Sequence, residues 1–128
     1  MQKTFYDSTP FEYGYSSNEE ILKNMNLNLK DLIEKSHGKI ITDIGCGCGR
    51  NLVYSSKYAH KLIGMDLSRS SLDFAKKFIQ SKNIELLLGN NLNIPLNDNF
   101  SDLVISDGVI HHTGDVVKAF NECIRILK

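Results

Sequence analysis

A glycine-rich turn behind an apolar, β-branched run is the segment of this sequence best suited to hold a ligand. It reads DIGCGCG from Asp43 to Gly49, with glycine at every second position from Gly45. Glycine lacks a Cβ, so such a turn can adopt tight backbone conformations and let a ligand approach the main chain closely. A glycine-rich turn is weak evidence when taken alone, since some only reverse the chain.

Asp66 supplies a second chemical group, a carboxylate, at the end of another apolar run. It follows Gly45 by roughly twenty positions, the spacing at which nucleotide-binding folds place an acid. Such a carboxylate can accept hydrogen bonds from both hydroxyls of a ribose. An aspartate ahead of a helix is as often only a cap. Asp66 therefore supports a nucleoside ligand without identifying it.

The elements that must position these groups alternate in type along the chain. Apolar runs predict strands, and amphipathic spacing between them predicts helices. The predicted strands cover residues 39–44, 61–65, 84–88 and 102–106. This alternation favours an α/β fold with a mainly parallel sheet and right-handed crossovers.

Helices are predicted between these strands and at both ends of the pattern. One covers residues 49–58, and another is capped by Ser68 and packs through Leu72, Ala75, Phe78 and Ile79. The last begins near Asp115 and packs through Val116, Ala119, Phe120, Cys123 and Leu127. The first ends at His37-Gly38, and its asparagines predict a break near Asn26.

Composition and charge limit the partners that the chain is expected to have. The chain has 128 residues, the size of one domain, with 15 basic and 15 acidic side chains and a formal net charge of zero. Proteins that grip phosphate backbones usually carry a basic excess, so we expect no nucleic acid partner. No apolar run reaches the roughly 18 residues of a membrane helix. With three cysteines and no apolar signal core in Met1–Pro10, we expect a cytoplasmic protein with free thiols and no membrane partner.

The glycine turn resembles the first motif of class I S-adenosylmethionine-dependent methyltransferases, which has the form acid-x-Gly-x-Gly-x-Gly. It departs from the Gly-x-Gly-x-x-Gly fingerprint of nicotinamide and flavin enzymes, because the sixth position counted from Gly45 is Arg50. The segment after the second strand, Asp66-Leu67-Ser68, is similar to the family's sequence of an acid, an apolar residue and serine.

Two later segments carry the same resemblance. Residues 89–96 are similar to the family's Gly-Asp-Ala-x-x-Leu-Pro-Phe, with Asn90 in the place of the aspartate. Residues 100–112 are similar to its fourth strand and the loop that leaves it. The resemblance covers about residues 39–127. It specifies the family well and the substrate poorly.

The resemblance implies a Rossmann-like three-layer sandwich that binds S-adenosylmethionine. The family orders its strands 3-2-1-4-5-7-6, of which this sequence supplies the first four. Residues 1–38 are then a lid segment with a helix, and residues 39–128 are the cofactor-binding domain. The cofactor contacts implied are Asp43, Gly45, Cys46, Gly47, Asp66, Leu67, Asn90, Asn91, Leu92 and Ser106. Gly49 is expected to serve helix packing.

The loop after the fourth strand holds the candidates for catalysis. Methyl transfer needs alignment and exclusion of water, and an acceptor of high pKa also needs a base. His111 and His112 lie where this loop opens toward the reacting centre in the family, so either could be that base; the alternative is polar loop residues. Tyr13 and Tyr15 are either parts of a lid or an ordinary tail. We expect no metal, because Cys-x-Cys in a glycine turn lacks zinc spacing.

The leading hypothesis is an enzyme that methylates a small molecule. The sequence has no Asn-Pro-Pro-Tyr-like signature after the fourth strand, which amine-modifying nucleic-acid enzymes would show. It also has no Pro-Cys pair, which would provide the nucleophile for cytosine-ring methylation. The alternatives are a truncated cofactor-binding module that needs a partner chain and, less favoured, a nicotinamide oxidoreductase. An open fourth-strand edge would be a liability, so we expect a second copy, another chain or an exchanged segment to cover it.

Overall fold

The computed structural model describes residues 25–47, 49–77, 79, 83–107 and 114–128. Within them lies a four-stranded parallel sheet in the order β3-β2-β1-β4. The strands are β1 Ile40–Ile44, β2 Lys61–Asp66, β3 Ile84–Leu88 and β4 Leu103–Ile105. The α/β class, the parallel pairing and the strand order predicted from the sequence are confirmed.

In the residues that the structure describes, helices follow three of the strands, and one more precedes the sheet. They are α1 Leu27–Lys35, α2 Arg50–Ser55, α3 Arg69–Lys76 and α4 Val116–Ile126. The Oδ1 of Asn26 accepts hydrogen bonds from the first turn of α1, so the predicted break at this residue is a helix start. Ser68 caps α3 through its side-chain oxygen, as predicted, and Asp115, near which the last helix was predicted to begin, caps α4 in the same way. These caps satisfy amide groups that the helices leave unpaired.

The sheet reverses its direction of growth between β1 and β4. From β1 the chain adds β2 and then β3 on one side, and it returns to add β4 on the other. The register pairs Asp43 with Gly64 of β2 and with Ile105 of β4. In open α/β sheets, a crevice forms at such a switch point, outside the carboxyl ends of the strands, and ligands bind there. The glycine turn leaves β1 at this place.

Two apolar layers cover the two faces of the sheet. Side chains from α1, α2 and α3, among them Ile33, Leu52 and Leu72, pack with Ile41 and Leu62 in one core cluster. On the other face, Cys123 and Ile126 of α4 pack with Ile44, Met65 and Ile94. Neighbouring strand residues divide between the two clusters, as the pleat requires.

The buried stripe of α4 differs from the sequence prediction. Ala119, Cys123 and Ile126 are buried, whereas Val116 and Phe120 are 50% and 54% exposed. The helix carries apolar side chains on two adjoining faces, so spacing alone did not select the face that meets the sheet. The prediction that Val116 and Phe120 pack inward was wrong, and Ile126 takes part where Leu127 was expected.

The outer edge of β4 is partly paired. Leu127 forms a parallel bridge with Ser101, in which Ser101 N donates to Ile126 O at 2.8 Å and Lys128 N to Ser101 O at 2.9 Å. Coverage of the rest of the edge stays a prediction. Among the helices of the described segments, none has the length and apolarity that a bilayer crossing requires.

Candidate functional site

The glycine turn is fastened to the end of β2. The backbone N–H groups of Gly45 and Cys46 both donate to the carbonyl oxygen of Met65, at 2.7 and 2.9 Å. Gly45, Gly47 and Gly49 have φ angles of 75°, 55° and 92°, in the left-handed region that side chains with a Cβ rarely adopt. The turn therefore needs glycine at these positions, which the alternating pattern supplies.

Asp66 joins the turn directly. Its Oδ2 accepts a hydrogen bond from Gly47 N at 2.9 Å, and its Oδ1 accepts one from Ser68 N, also at 2.9 Å. The structure thus places the first and second motifs side by side at the carboxyl edge of the sheet. A carboxylate offers about four acceptor positions, so one carboxylate can serve several donors at once.

The glycines of the turn face different surroundings. A Cβ built on Gly47 would meet no described atom within 4 Å. One built on Gly49 would lie 3.0 Å from the Cβ of Ala75 and 3.2 Å from the Cδ1 of Ile79. Gly49 therefore allows α2 to approach α3, which confirms its predicted packing role, while Gly47 borders open space.

Asp43 is the chemically unusual residue of the site. Its side chain is 1% exposed, and neither carboxylate oxygen accepts a hydrogen bond from any described residue. Burial raises the pKa of Asp43 well above its ordinary value, and the negative charges of Asp107 and Asp66 raise it further. The charge of Arg50 and the nearby amide of Asn51, which does not meet hydrogen-bond geometry with either oxygen, oppose that shift of the pKa. A buried acid without a partner is costly, so it marks a place where a ligand can supply the missing partner.

More polar groups collect at the switch point beside Asp43. The Oγ of Ser106, just beyond β4, and the Oδ1 of Asn51 are buried and accept no hydrogen bond within the described chain. The carboxylate of Asp107 lies 3.9 Å from the Nη2 of Arg50. Sequence reasoning missed Asn51; an amide between the glycine turn and the apolar Leu52 was the signal for it.

The loop after β3 reaches the same edge. Gly89 N donates to the carbonyl oxygen of Asp66 at 3.0 Å, which places the start of the loop beside the acid. The Oδ1 of Asn90 accepts from Leu92 N at 2.8 Å and so builds a local turn. Asn91 is buried, and Leu92 is half-buried. The loop is therefore near Asp66, with one oxygen of Asn90 already used inside it.

Of the remaining predicted site residues, some are described by the structure and others are not. Leu67 is half-buried and follows Asp66, and Cys46 is buried in the glycine turn. His111 and His112, together with Cys48, Tyr13 and Tyr15, lie outside the described residues. Their roles stay predictions.

Known proteins match both the sequence and this arrangement. A family model described as a methyltransferase domain matches residues 42–128. A probable tRNA methyltransferase 9B from Bos taurus is 36% identical over 99 residues, which are 75% of this chain and 20% of that protein. The demethylmenaquinone methyltransferase of Lactococcus lactis is 33% identical over 97 residues, 71% of this chain and 38% of that protein.

The crystal structure of YcgJ from Bacillus subtilis superposes with a TM-score of 0.71 at 28% identity, and the match covers 78% of this chain and 45% of that one. The chain thus spans less than half the length of these relatives. Since the matched residues include the glycine turn, Asp66 and the strands that carry them, the chain belongs to the class I methyltransferase family, whose cofactor is S-adenosylmethionine.

Proposed function

We propose that this domain binds S-adenosylmethionine at the carboxyl ends of β1, β2 and β4, and that the protein containing it transfers a methyl group to a small-molecule acceptor. The observation that carries the proposal is the buried carboxylate of Asp43, which accepts no hydrogen bond from the described residues and lies behind a glycine turn that is hydrogen-bonded to Asp66.

The residues present fit this cofactor. Asp43 can pair with a cationic amino group, which favours its ionised form. Asp66 can accept from ribose hydroxyls, and Gly47 borders the space that a ligand needs. Leu67 and Leu92 would contact the adenine, with Asn90 and Asn91 at its edge, and Ser106 would contact the methionine portion. The buried Oγ of Ser106 without a described partner supports its assignment.

The protein's own contribution is chiefly alignment. When bound, the cofactor supplies a methyl group on a sulfonium, which is already activated for displacement. The turn from Gly45 to Gly47 and the carboxylate of Asp66 fix the position of the ligand, so the acceptor needs only to be oriented. Arg50 and Asp107 border the same crevice and can orient a polar acceptor. For an acceptor of high pKa, we propose His111 or His112 as the base.

The balance of charge favours a small acceptor. With 15 basic and 15 acidic side chains, the chain lacks the excess of positive charge that phosphate backbones attract. The second candidate is a tRNA acceptor, which the 36% identity to a probable tRNA methyltransferase favours. The third candidate is a binding module that catalyses methyl transfer only together with a further polypeptide. It is consistent with the fraction of the relatives that the chain spans.

Calorimetric titration with S-adenosylhomocysteine tests the cofactor assignment, with NAD as the comparison ligand. We expect saturable binding of the first and none of the second; preference for NAD would end the proposal. Transfer of a radiolabelled methyl group to extracted small metabolites, and separately to total tRNA, then tests the acceptor. Label in the tRNA fraction alone would overturn the small-molecule assignment, and label in neither would favour the binding module.

A further inference from the structure

Arg125 of α4 makes several hydrogen bonds outside the crevice. Its Nη2 donates to Ile94 O and its Nη1 to Leu96 O, both at 2.8 Å. The same Nη1 donates to the Oδ1 of Asp98 at 2.8 Å, and Nε donates to the Oε2 of Glu122 at 2.6 Å. One guanidinium thus holds two backbone carbonyls and two carboxylates.

Glu122 completes this arrangement from the same helix. Its Oε1 accepts from Ile94 N at 2.8 Å, so both backbone polar groups of Ile94 are bonded to α4 side chains. The Ile94 side chain is buried and packs with Met65 and Cys123. Glu122 is 15% exposed and Arg125 31% exposed, which shields these charge-assisted bonds from solvent. We call Glu122, Arg125 and the backbone of residues 94–96 the loop clamp.

The loop clamp fixes one end of the segment that the proposed adenine contacts occupy. At the other end, Gly89 is bonded to Asp66. Between these anchors, Asn90 and Asn93 form an antiparallel bridge that closes a tight turn. Asn90, Asn91 and Leu92 therefore lie on a short segment held from β2 on one side and from α4 on the other.

We propose that Glu122 and Arg125 are positioning residues for the nucleoside end of the cofactor. They touch no ligand; they hold residues 94–96 and so restrict the loop that carries Asn90, Asn91 and Leu92. A loop ordered before binding avoids the entropy cost of being ordered by the ligand, which raises affinity. This inference rests on the proposed function, because it presupposes an adenosyl ligand beside that loop.

The chemistry of the clamp requires arginine rather than any cation. A guanidinium presents its donors in a rigid planar fork, whereas an ammonium is a point charge on a flexible stem. Lysine at position 125 would keep the charge but could not bond Ile94 O, Leu96 O and Glu122 together in this geometry. R125K is therefore the informative variant. E122Q is a second, which removes the carboxylate charge and replaces one of its two accepting oxygens by an amide donor.

Calorimetry with two probes, S-adenosylhomocysteine and adenosine, tests the proposal. We expect R125K and E122Q to weaken the binding of both ligands by the same factor, about tenfold, because each variant loses charge-assisted hydrogen bonds. The factor should be the same since both ligands carry the nucleoside. D102N is the matched control, because the Oδ2 of Asp102 accepts from Ile40 N at 2.9 Å in another part of the fold. We expect D102N to bind both probes like the wild type.

Amide hydrogen exchange separates loop ordering from general destabilisation. In R125K, the amides of residues 90–94 and of Leu96 should exchange faster, while those of β1 exchange at the wild-type rate. If the wild type binds the probes and R125K binds them equally well, the positioning role is wrong and the proposed function stands. Equal losses of affinity in R125K and D102N would also show that the positioning role is wrong. If the wild type binds neither probe, the proposed function fails, and the inference with it.

Discussion

The backbone N–H of Gly47 donates a hydrogen bond of 2.9 Å to the Oδ2 of Asp66. This bond joins the turn after β1 to the carboxylate that ends β2. The conformation of the glycine turn and the position of the acid are therefore coupled, and a change at either residue is expected to affect both ends of a ligand that spans them.

Asp66→Asn is expected to weaken binding of S-adenosylhomocysteine by about 10- to 100-fold, since an amide accepts more weakly from hydroxyls and from Gly47 N. Calorimetry measures the affinity. Asp102→Asn is the control, because it also changes an aspartate that accepts a backbone N–H. Unchanged affinity in D66N would show that Asp66 does not contact the ligand.

Gly49→Ala is expected to cost stability through both backbone strain and contact. The residue has a φ of 92°, and its new Cβ would lie 3.0 Å from that of Ala75. We expect a loss of roughly 2–4 kcal/mol in the free energy of unfolding. Urea denaturation measures it, with Gly38→Ala as the control, because Gly38 has a φ of 78° and open space around it. Equal losses in the two variants would argue against the packing role.

Gly47→Ala is expected to affect binding more than stability. Its φ is 55°, and its Cβ would meet no described atom within 4 Å, so the folded state bears only the strain of about 1 kcal/mol. The added methyl group occupies space proposed for the ligand, and we expect about tenfold weaker binding of S-adenosylhomocysteine. Gly38→Ala, with similar strain, should bind normally. A G47A protein with wild-type affinity would place the ligand elsewhere.

Asp43→Asn is expected to stabilise the ligand-free protein and to weaken cofactor binding. Burial raises the pKa of Asp43, so its contribution to stability is greatest below the unfolded-state pKa and falls as the pH rises toward the folded-state pKa. The asparagine variant lacks this loss of stability with rising pH. Thermal unfolding followed from pH 4 to pH 8 should show the midpoint of D43N rising relative to that of the wild type as the pH increases. Parallel curves would contradict the pKa assignment.

Glu122 should have the opposite pH dependence. The hydrogen bond from Arg125 lowers the pKa of Glu122 below its ordinary value of 4.5. Its contribution to stability is therefore present above that value and is lost as the pH falls through the folded-state pKa. E122Q should lose less stability than the wild type on acidification below pH 5, as measured by urea denaturation at each pH. An equal loss in both proteins would show that Glu122 does not titrate with folding.

Local patterns in the sequence determined most of the fold. The apolar runs identified all four strands within about two residues, since buried parallel strands read as continuous apolar stretches. Ser68 was identifiable as a cap, and Asp115 as the start of the last helix, because such side chains bond within the next turn. Asp66 was identifiable from its spacing after the glycine turn, and Asp43 from the resemblance of that turn to the first motif of the family.

Contacts between distant parts of the chain determine the features that could not be predicted from the sequence. Phe120 and Ile126 are both apolar, and only packing against β1 and β2 selects the second. Arg125 bonds carbonyl oxygens of Ile94 and Leu96, which any residue type would present, so no side-chain pattern predicts them. The unpartnered state of the Asp43 carboxylate is likewise a property of its surroundings.

In the described residues, the two faces of the sheet are covered unequally, and this has a consequence for local unfolding. Three helices pack on one face, whereas α4 and the loop that it holds supply the described cover on the other. Proteins open in cooperative units whose free energies differ, and a layer with fewer buried contacts opens first. Limited proteolysis should therefore cut between Asn90 and Asn99 before it reaches β1 or β2, and a bound adenosyl ligand should slow that first cut most.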